Sequence, residues 1–381
     1  MAGPHWIITN RRVLPRGQGL PERVDESIHE ALPVFRIARF DPPASASPSK
    51  DELLGAVTFV PDEFVTNYKD VHVGDNPADF KGSSRLFLSL YQQMAGAPTG
   101  KGDTMFLMHG FNYAWVDALR ELHRAQRIYC DPPESPVSQM LYFSWPSHGR
   151  QLAYMSDQQI AQPSGALLGR VFGKAVRFHK EFFAPTNGSP AFCGRKFHIA
   201  AHSMGNQVLE EFMRSIREFE FLRRGIFGEA LLLNADADWT ALEPLAPLHE
   251  LPEYAQRIHV YNHFSDDALA ISENTKNSRK RLGRHGPRDL NLIPPRNIVV
   301  DCSKLDGAKP GLTADSKDLA AAARVLGRAS VSMRERMFDH WGYLNRAEVI
   351  ADIYAVLRGE SAIAIPRREK RDEKLFRLVD A

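Results

Sequence analysis

A serine flanked by small residues is where this chain could do chemistry. In Ala201-His202-Ser203-Met204-Gly205 the spacing A-x-S-x-G follows a short apolar run, Phe197 to Ala201, and precedes a helix-forming stretch from Gln207 to Phe212 and beyond. Strand, sharp turn with a central serine, then helix is the layout that presents a hydroxyl clear of both backbones. Strand and helix nearly touch at such a turn, so Ala201 and Gly205 stand where larger side chains would collide. A serine hydroxyl becomes a nucleophile only with a base to take its proton and an acid to orient that base. Downstream, in that order, come Asp266, in Ser265-Asp266-Asp267, and His340, in F-D-H-W-G-Y-L. The expected chemistry is acyl transfer. His340 takes the proton of Ser203 as its oxygen attacks a carbonyl, Asp266 holds the imidazole in the right tautomer, and water then hydrolyses the acyl-enzyme. The developing oxyanion needs preorganised N–H donors, worth about 2.7–4 kcal/mol each. The backbone N–H of Met204 is the first expected donor. The second is the N–H of Phe111, in His109-Gly110-Phe111-Asn112, where Gly110 permits close approach.

Each assignment has a rival. Asp266 also fits a helix N-cap. Asp267 beside it, or Asp236 at the end of an earlier strand, are the alternative acids. His263 and His285 are the alternative bases, but His340 alone stands between the expected last strand and last helix. His109 is expected to orient its loop by hydrogen bonds rather than to move protons. The pairs Asp236/Asp238 and Asp266/Asp267 lack clustered histidines at ligand spacing, so no metal and no other cofactor is expected. Tyr113, Trp145 and Tyr154, with Phe111 and His109, are candidates to line an acyl pocket. Ordinary core aromatics are the equal alternative.

Those residues need a scaffold. Apolar runs at Thr104–Met108, Met140–Trp145, Phe197–Ala201, Glu229–Asn234, Arg257–Asn262 and Asn297–Cys302 read as strands, the last of these as the final one. Helical patterns alternate with them at Trp115–Tyr129, between Ser156 and Phe183, after the elbow to about Leu222, shortly after Asp267, and at Tyr343–Arg358. That alternation predicts an α/β class, a buried and mostly parallel sheet with helices on both faces. Before it, His5–Thr9, Val34–Ala38 and Leu54–Val60 read as strands and Ser83–Ala95 as a helix capped by Ser83 or Ser84. The expected organisation is an N-terminal extension over 1–100 packed on the core, a catalytic domain over 101–360, and a charged tail over 361–381. Within the tail, Arg367–Arg377 reads as a solvated helix or arm. The run Lys276–Arg288, rich in Lys and Arg, is a solvated loop unless it overhangs the site and favours an anionic substrate.

Composition narrows the class. The chain has 381 residues, of which 43% are hydrophobic and 25% charged, enough for one large α/β domain with additions. Its net charge of +2 gives no case for nucleic-acid or membrane binding. No stretch is long and apolar enough to span a bilayer, and the opening M-A-G-P-H-W-I-I-T-N-R-R does not read as a signal peptide. The cysteines Cys130, Cys193 and Cys302 are odd in number and widely spaced, which suggests reduced thiols and a cytoplasmic location.

The motifs M-H-G-F-N, F-S-W-P-S-H-G, A-H-S-M-G-N, D-D-A-L and D-H-W-G-Y-L, in this order, resemble a bacterial branch of α/β-hydrolases classed as a domain of unknown function. The resemblance covers about 103–358. It implies the α/β-hydrolase fold, a serine hydrolase activity and the triad Ser203, Asp266 and His340. The chain departs from it in carrying Ala201 at the first elbow position and Asp267 beside the acid. The resulting expectation is a carboxylic ester hydrolase acting on a small-molecule ester or acyl substrate. A thioesterase, amidase or acyltransferase would use the same triad, and a non-catalytic binding protein of the same fold is the rival from another class. A lipase-like enzyme would want an apolar lid, and Leu242–Tyr254 is too charged for one.

Overall fold

The computed structural model describes residues 3–15, 17, 21–63, 67–149, 153–183, 193–217, 226–273, 279–305 and 338–380. Its strands are β1 (His5–Thr9), β2 (Val13–Leu14), β3 (Arg23–Val24), β4 (Arg36–Phe40), β5 (Val57–Phe59), β6 (Asp103–Met108), β7 (Val137–Ser144), β8 (Phe197–His202), β9 (Phe227–Leu233), β10 (Ala255–Asn262), β11 (Asn297–Asp301), β12 (Arg368–Lys370) and β13 (Leu375–Leu378). Its helices are α1 (Lys50–Gly55), α2 (Gly82–Gly96), α3 (Trp115–Tyr129), α4 (Tyr154–Phe182), α5 (Gly205–Ile216), α6 (Leu251–Tyr254), α7 (Asp267–Ser272), α8 (Leu282–His285), α9 (Gly342–Asn345) and α10 (Ala347–Leu357). Apart from the β2–β3 ribbon, the strands form one 11-stranded sheet in the order β12-β13-β11-β10-β9-β8-β6-β7-β1-β4-β5. From β13 to β1 the neighbours run parallel; β4, β5 and β12 add antiparallel edges.

The apolar runs are continuous because both faces are covered. Successive strand residues point to opposite sides. In β6, Phe106 and Met108 join a core with Leu86, Leu168, Val208 and Phe212 from α2, α4 and α5. Met105 and Leu107 join the opposite core with Leu53, Leu119, Leu122 and Val356 from α1, α3 and α10.

The chain order in the sheet locates a crevice. From β6 the connection through α3 leads to β7 on one side, and from β8 the connection through α5 leads to β9 on the other. Adjacent parallel strands whose connections leave in opposite directions open a gap beyond their carboxyl ends, where ligands bind in open α/β sheets. The loop after β6 carries His109-Gly110-Phe111, and the turn after β8 carries Ser203.

Several expectations are corrected. The expected strand Leu54–Val60 is split into α1 and β5. Ser49 and Glu52 form a reciprocal capping box, Glu52 N to Ser49 Oγ at 3.2 Å and Ser49 N to Glu52 Oε2 at 2.7 Å, which starts a helix instead. Neither Ser83 nor Ser84 caps α2, whose N-cap is Lys81. Both serines are buried, with Ser84 Oγ donating to Glu63 Oε1 at 3.0 Å and Ser83 Oγ paired with the Tyr68 hydroxyl at 2.8 Å. The expected helix Tyr343–Arg358 breaks at Arg346, whose backbone is extended while its guanidinium reaches Asp339 at 2.6 Å. The elbow helix ends at Ile216, and its expected end at Leu222 lies outside the described residues.

Asn297–Cys302 is not the last strand, and Arg367–Arg377 is not a solvated helix. Its residues supply β12 and β13, and β13 extends the parallel sheet beside β11. Phe376 and Leu378 turn inward with two-residue period, and Arg368 turns inward onto Asp352 of α10. Charge density hid two half-buried strands, and the inward-facing Arg368 is paired.

Candidate active site

Ser203 sits at the tip of the β8–α5 turn with φ of 51°, a left-handed backbone that a non-glycine residue adopts only when its surroundings impose it. Here they do. Ser203 N donates to Leu233 O at 3.0 Å, Ser203 O accepts from Asp236 N at 3.0 Å, and the Asn206 amide spans the turn to Ala201 O at 2.9 Å and Ser203 O at 3.0 Å. Two glycines permit the close approach. A Cβ on Gly205 would lie 2.6 Å from Met108 O and 2.7 Å from His109 O, and one on Gly110 would lie 2.9 Å from Ser203 Cβ. The loop after β6 therefore lies against the serine.

Asp266 and His340 meet although 74 residues separate them, with His340 Nδ1 donating to Asp266 Oδ2 at 2.7 Å. Both are buried. The N-cap role and the orienting role turn out to be compatible: Asp266 Oδ1 accepts Leu269 N at 3.1 Å while Oδ2 takes His340 and the Asn234 amide at 2.9 Å. Burial pushes the Asp266 carboxyl up, but the His340 charge and hydrogen bond, the Leu269 N–H and the Asn234 amide outweigh it. The net shift is downward, so the group is a carboxylate at neutral pH. Among the described residues no hydrogen bond joins Ser203 Oγ to His340. The tie between them runs through the neighbouring residue, His202 Nε2 to His340 O at 2.9 Å.

The rival residues have other partners. Asp236 accepts the Tyr154 hydroxyl at 2.6 Å and the Ser272 hydroxyl at 2.8 Å, with Arg281 at 3.5 Å. Asp267 is the first residue of α7, beyond the cap. His285 pairs with Glu273 at 2.9 Å, and His263 faces Asp339 at 3.7 Å.

His109 is hydrogen-bonded to its own loop and to Trp145. Its Nδ1–H donates to Gly110 O at 2.7 Å and its Nε2 accepts the N–H of Trp145 at 3.1 Å, which fixes a neutral tautomer. The C=O and N–H of a trans peptide point in opposite directions. Holding Gly110 O toward the imidazole thus aims the Phe111 N–H away from it. Among the described residues neither Phe111 N nor Met204 N has an acceptor. Burial, reinforced by Arg11, pushes His109 down to about 3, and burial pushes His5 down to about 4. Both fall below the unfolded value of about 6.5, so on acidification the unfolded chain takes up these protons first. Stability is complete above that value and is lost as pH falls from about 6.5 toward about 4, at about 1.4 kcal/mol per pH unit for each such histidine. Urea midpoints measured at pH 7, 6 and 5 should decline steadily; a flat series would refute this.

The aromatic candidates divide. Trp145 stacks on His109 at 5.2 Å and 7°, and Tyr113 hydrogen-bonds Glu121 at 2.8 Å. Tyr154 packs edge-on against Phe111 at 5.4 Å, beside the serine loop. The described part of the basic run is paired rather than free: Arg279 with Asp238, Arg284 with Glu273, Arg288 with Glu243, and Lys280 over the Trp239 ring. Lys276 lies outside the described residues. Burial pushes the Cys130 and Cys302 thiols up, so neither is a thiolate at neutral pH. Among the described residues no helix is long and apolar enough to cross a membrane.

Sequence reading missed Asn206, Asn234, His202 and Asp339. Asn234 had a visible signal. It closes an apolar strand and takes a left-handed φ of 43°, which asparagine tolerates better than most residues.

A family model for an alpha/beta hydrolase of unknown function (DUF900) matches residues 99–313. No curated protein and no solved structure matches the chain.

Proposed function

Because the chain belongs to this family of alpha/beta hydrolases of unknown function, we propose that it is a serine hydrolase that cleaves carboxylic esters through Ser203, His340 and Asp266. The observation that carries the proposal is the buried Asp266–His340 hydrogen bond of 2.7 Å beside a serine held at φ 51°. With Nδ1 donating to a carboxylate, His340 keeps Nε2 as its basic atom. As Ser203 Oγ attacks the ester carbonyl, Nε2 takes the hydroxyl proton. The C=O electron pair moves onto oxygen, where the N–H groups of Met204 and Phe111 receive it. Collapse of the tetrahedral species breaks the C–O bond, and the imidazolium returns the proton to the leaving alkoxide. Water, deprotonated by the same imidazole, then releases the acid and restores Ser203. The Ser203–His340 contact is the one link without a hydrogen bond here, and such links commonly tighten only in the substrate complex. Esters rank ahead of amides because an alkoxide leaves with less assistance from the general acid than an amine does.

The test is covalent. Incubation with a fluorophosphonate should leave one adduct, on the peptide containing Ser203, and the same sample should turn over short p-nitrophenyl esters. An adduct at another residue, or none in folded protein, would overturn the proposal and favour a non-catalytic binding protein.

A further inference from the structure

Behind the candidate serine lies a buried polar cluster that the proposed reaction does not use. Glu121 of α3 accepts the Tyr113 hydroxyl at 2.8 Å and also the hydroxyls of Tyr142 and Tyr343. Three phenols on one carboxylate, from the serine-facing loop, from β7 and from α9, bind elements that are otherwise remote in sequence. The Tyr113 hydroxyl in turn accepts Trp341 Nε1 at 2.8 Å, so both Trp341 and Tyr343, just after His340, are tied to α3 through Glu121.

His202 stands between this cluster and the site. It is buried, its ring lies 4.8 Å from that of His340 and 4.9 Å from that of Tyr343, and its Nδ1 faces Glu121 Oε1 at 3.9 Å. Its Nε2 is 2.9 Å from the main-chain oxygen of His340. A carbonyl oxygen only accepts, so Nε2 carries the proton. His202 precedes Ser203 directly, so this bond is a tether, one residue from the nucleophile at one end and on the base itself at the other.

We propose that His202 is a positioning residue: its Nε2–H ties the His340 backbone to the turn that carries Ser203, while the Glu121–tyrosine cluster holds the following residues. This rests on the serine-hydrolase reading for its consequence, not for its geometry. A displacement near 1 Å of a reacting group costs on the order of 100-fold in rate. Loss of the tether should therefore slow the chemical step without changing substrate affinity.

Saturation kinetics of fluorophosphonate labelling test this with two variants. His202→Phe keeps a ring but removes the donor and should lower the limiting labelling rate by about 10- to 100-fold at an unchanged half-saturating concentration. His202→Gln restores an N–H donor at similar reach and should recover to within a few fold. A variant that was merely less well packed would show neither the split nor the rescue. Independently of activity or variants, nitrogen-15 spectra of histidine-labelled wild-type protein should show His202 protonated at Nε2 and bare at Nδ1. An Nδ1-protonated His202, or His202→Phe labelling at the wild-type rate, overturns the tether. Wild-type protein that does not label strikes the hydrolase reading instead, and the spectra still decide the tether.

Discussion

Ester turnover should fall by about 10⁶-fold in Ser203→Ala and by about 10⁴-fold in Asp266→Asn, with both proteins folded. The first removes the only atom proposed to bond the acyl carbon. The second leaves an amide of almost the same shape, which can still accept Leu269 N and preserve the α7 cap, at a cost of about 1–3 kcal/mol for the Asn234 amide that loses its acceptor. What changes is His340. Its Nδ1–H points at Asp266 Oδ2; an amide nitrogen there would favour the other tautomer and leave Nε2 protonated. Asp236→Asn and Asp267→Asn are the controls. Asp236 is engaged by Tyr154, Ser272 and Arg281 rather than by an imidazole, so its loss should cost about 1–3 kcal/mol of stability and at most about tenfold in turnover. Steady-state kinetics with one p-nitrophenyl ester and a melting curve for each variant decide the matter. If Asp236→Asn fell by orders of magnitude while Asp266→Asn did not, the acid would be misassigned.

The parallel core was legible because its strands are buried on both faces, and nearly unbroken apolar runs are hard to mistake. Trp115–Tyr129 appears as a helix with the bounds its periodicity predicts. The sheet edges were less legible. Arg368–Lys370 carries charges because an edge strand exposes one side, and that same charge reads as tail. Ser49 was another loss: a capping box was written in S-K-D-E, but apolar residues just beyond it favoured a strand. At the site, residue types that do chemistry stood out, whereas residues that hold them did not. His202 looked like a flanking position, and Glu121 like one more charge on a helix. Its burial depends on three tyrosines that converge only in the fold.

Asp352→Ala should destabilise the protein by about 3–5 kcal/mol, more than any surface charge change, because it strands a guanidinium. Arg368 and Asp352 form a two-pronged pair at 2.6 Å for each bond, with side chains 0% and 1% exposed, and Asp352 also accepts the Tyr261 hydroxyl at 2.6 Å. Removing the carboxylate leaves a buried cation and a buried phenol without their acceptor. The consequence reaches the site by a short route. Arg368 anchors β12, β12 pairs with β13, β13 lies against β11, and β11 lies against β10, whose carboxyl end leads to Asp266. Hydrogen exchange in Asp352→Ala should therefore rise first in β13 and β11, and turnover should fall only as that edge opens. Replacing both partners with apolar residues, Asp352→Leu with Arg368→Met, should recover much of the loss, since the penalty lies in the unpaired charge rather than in the missing attraction. Denaturant midpoints would measure both effects. A single-variant cost below about 1 kcal/mol would mean that the tail is held by Phe376 and Leu378 alone.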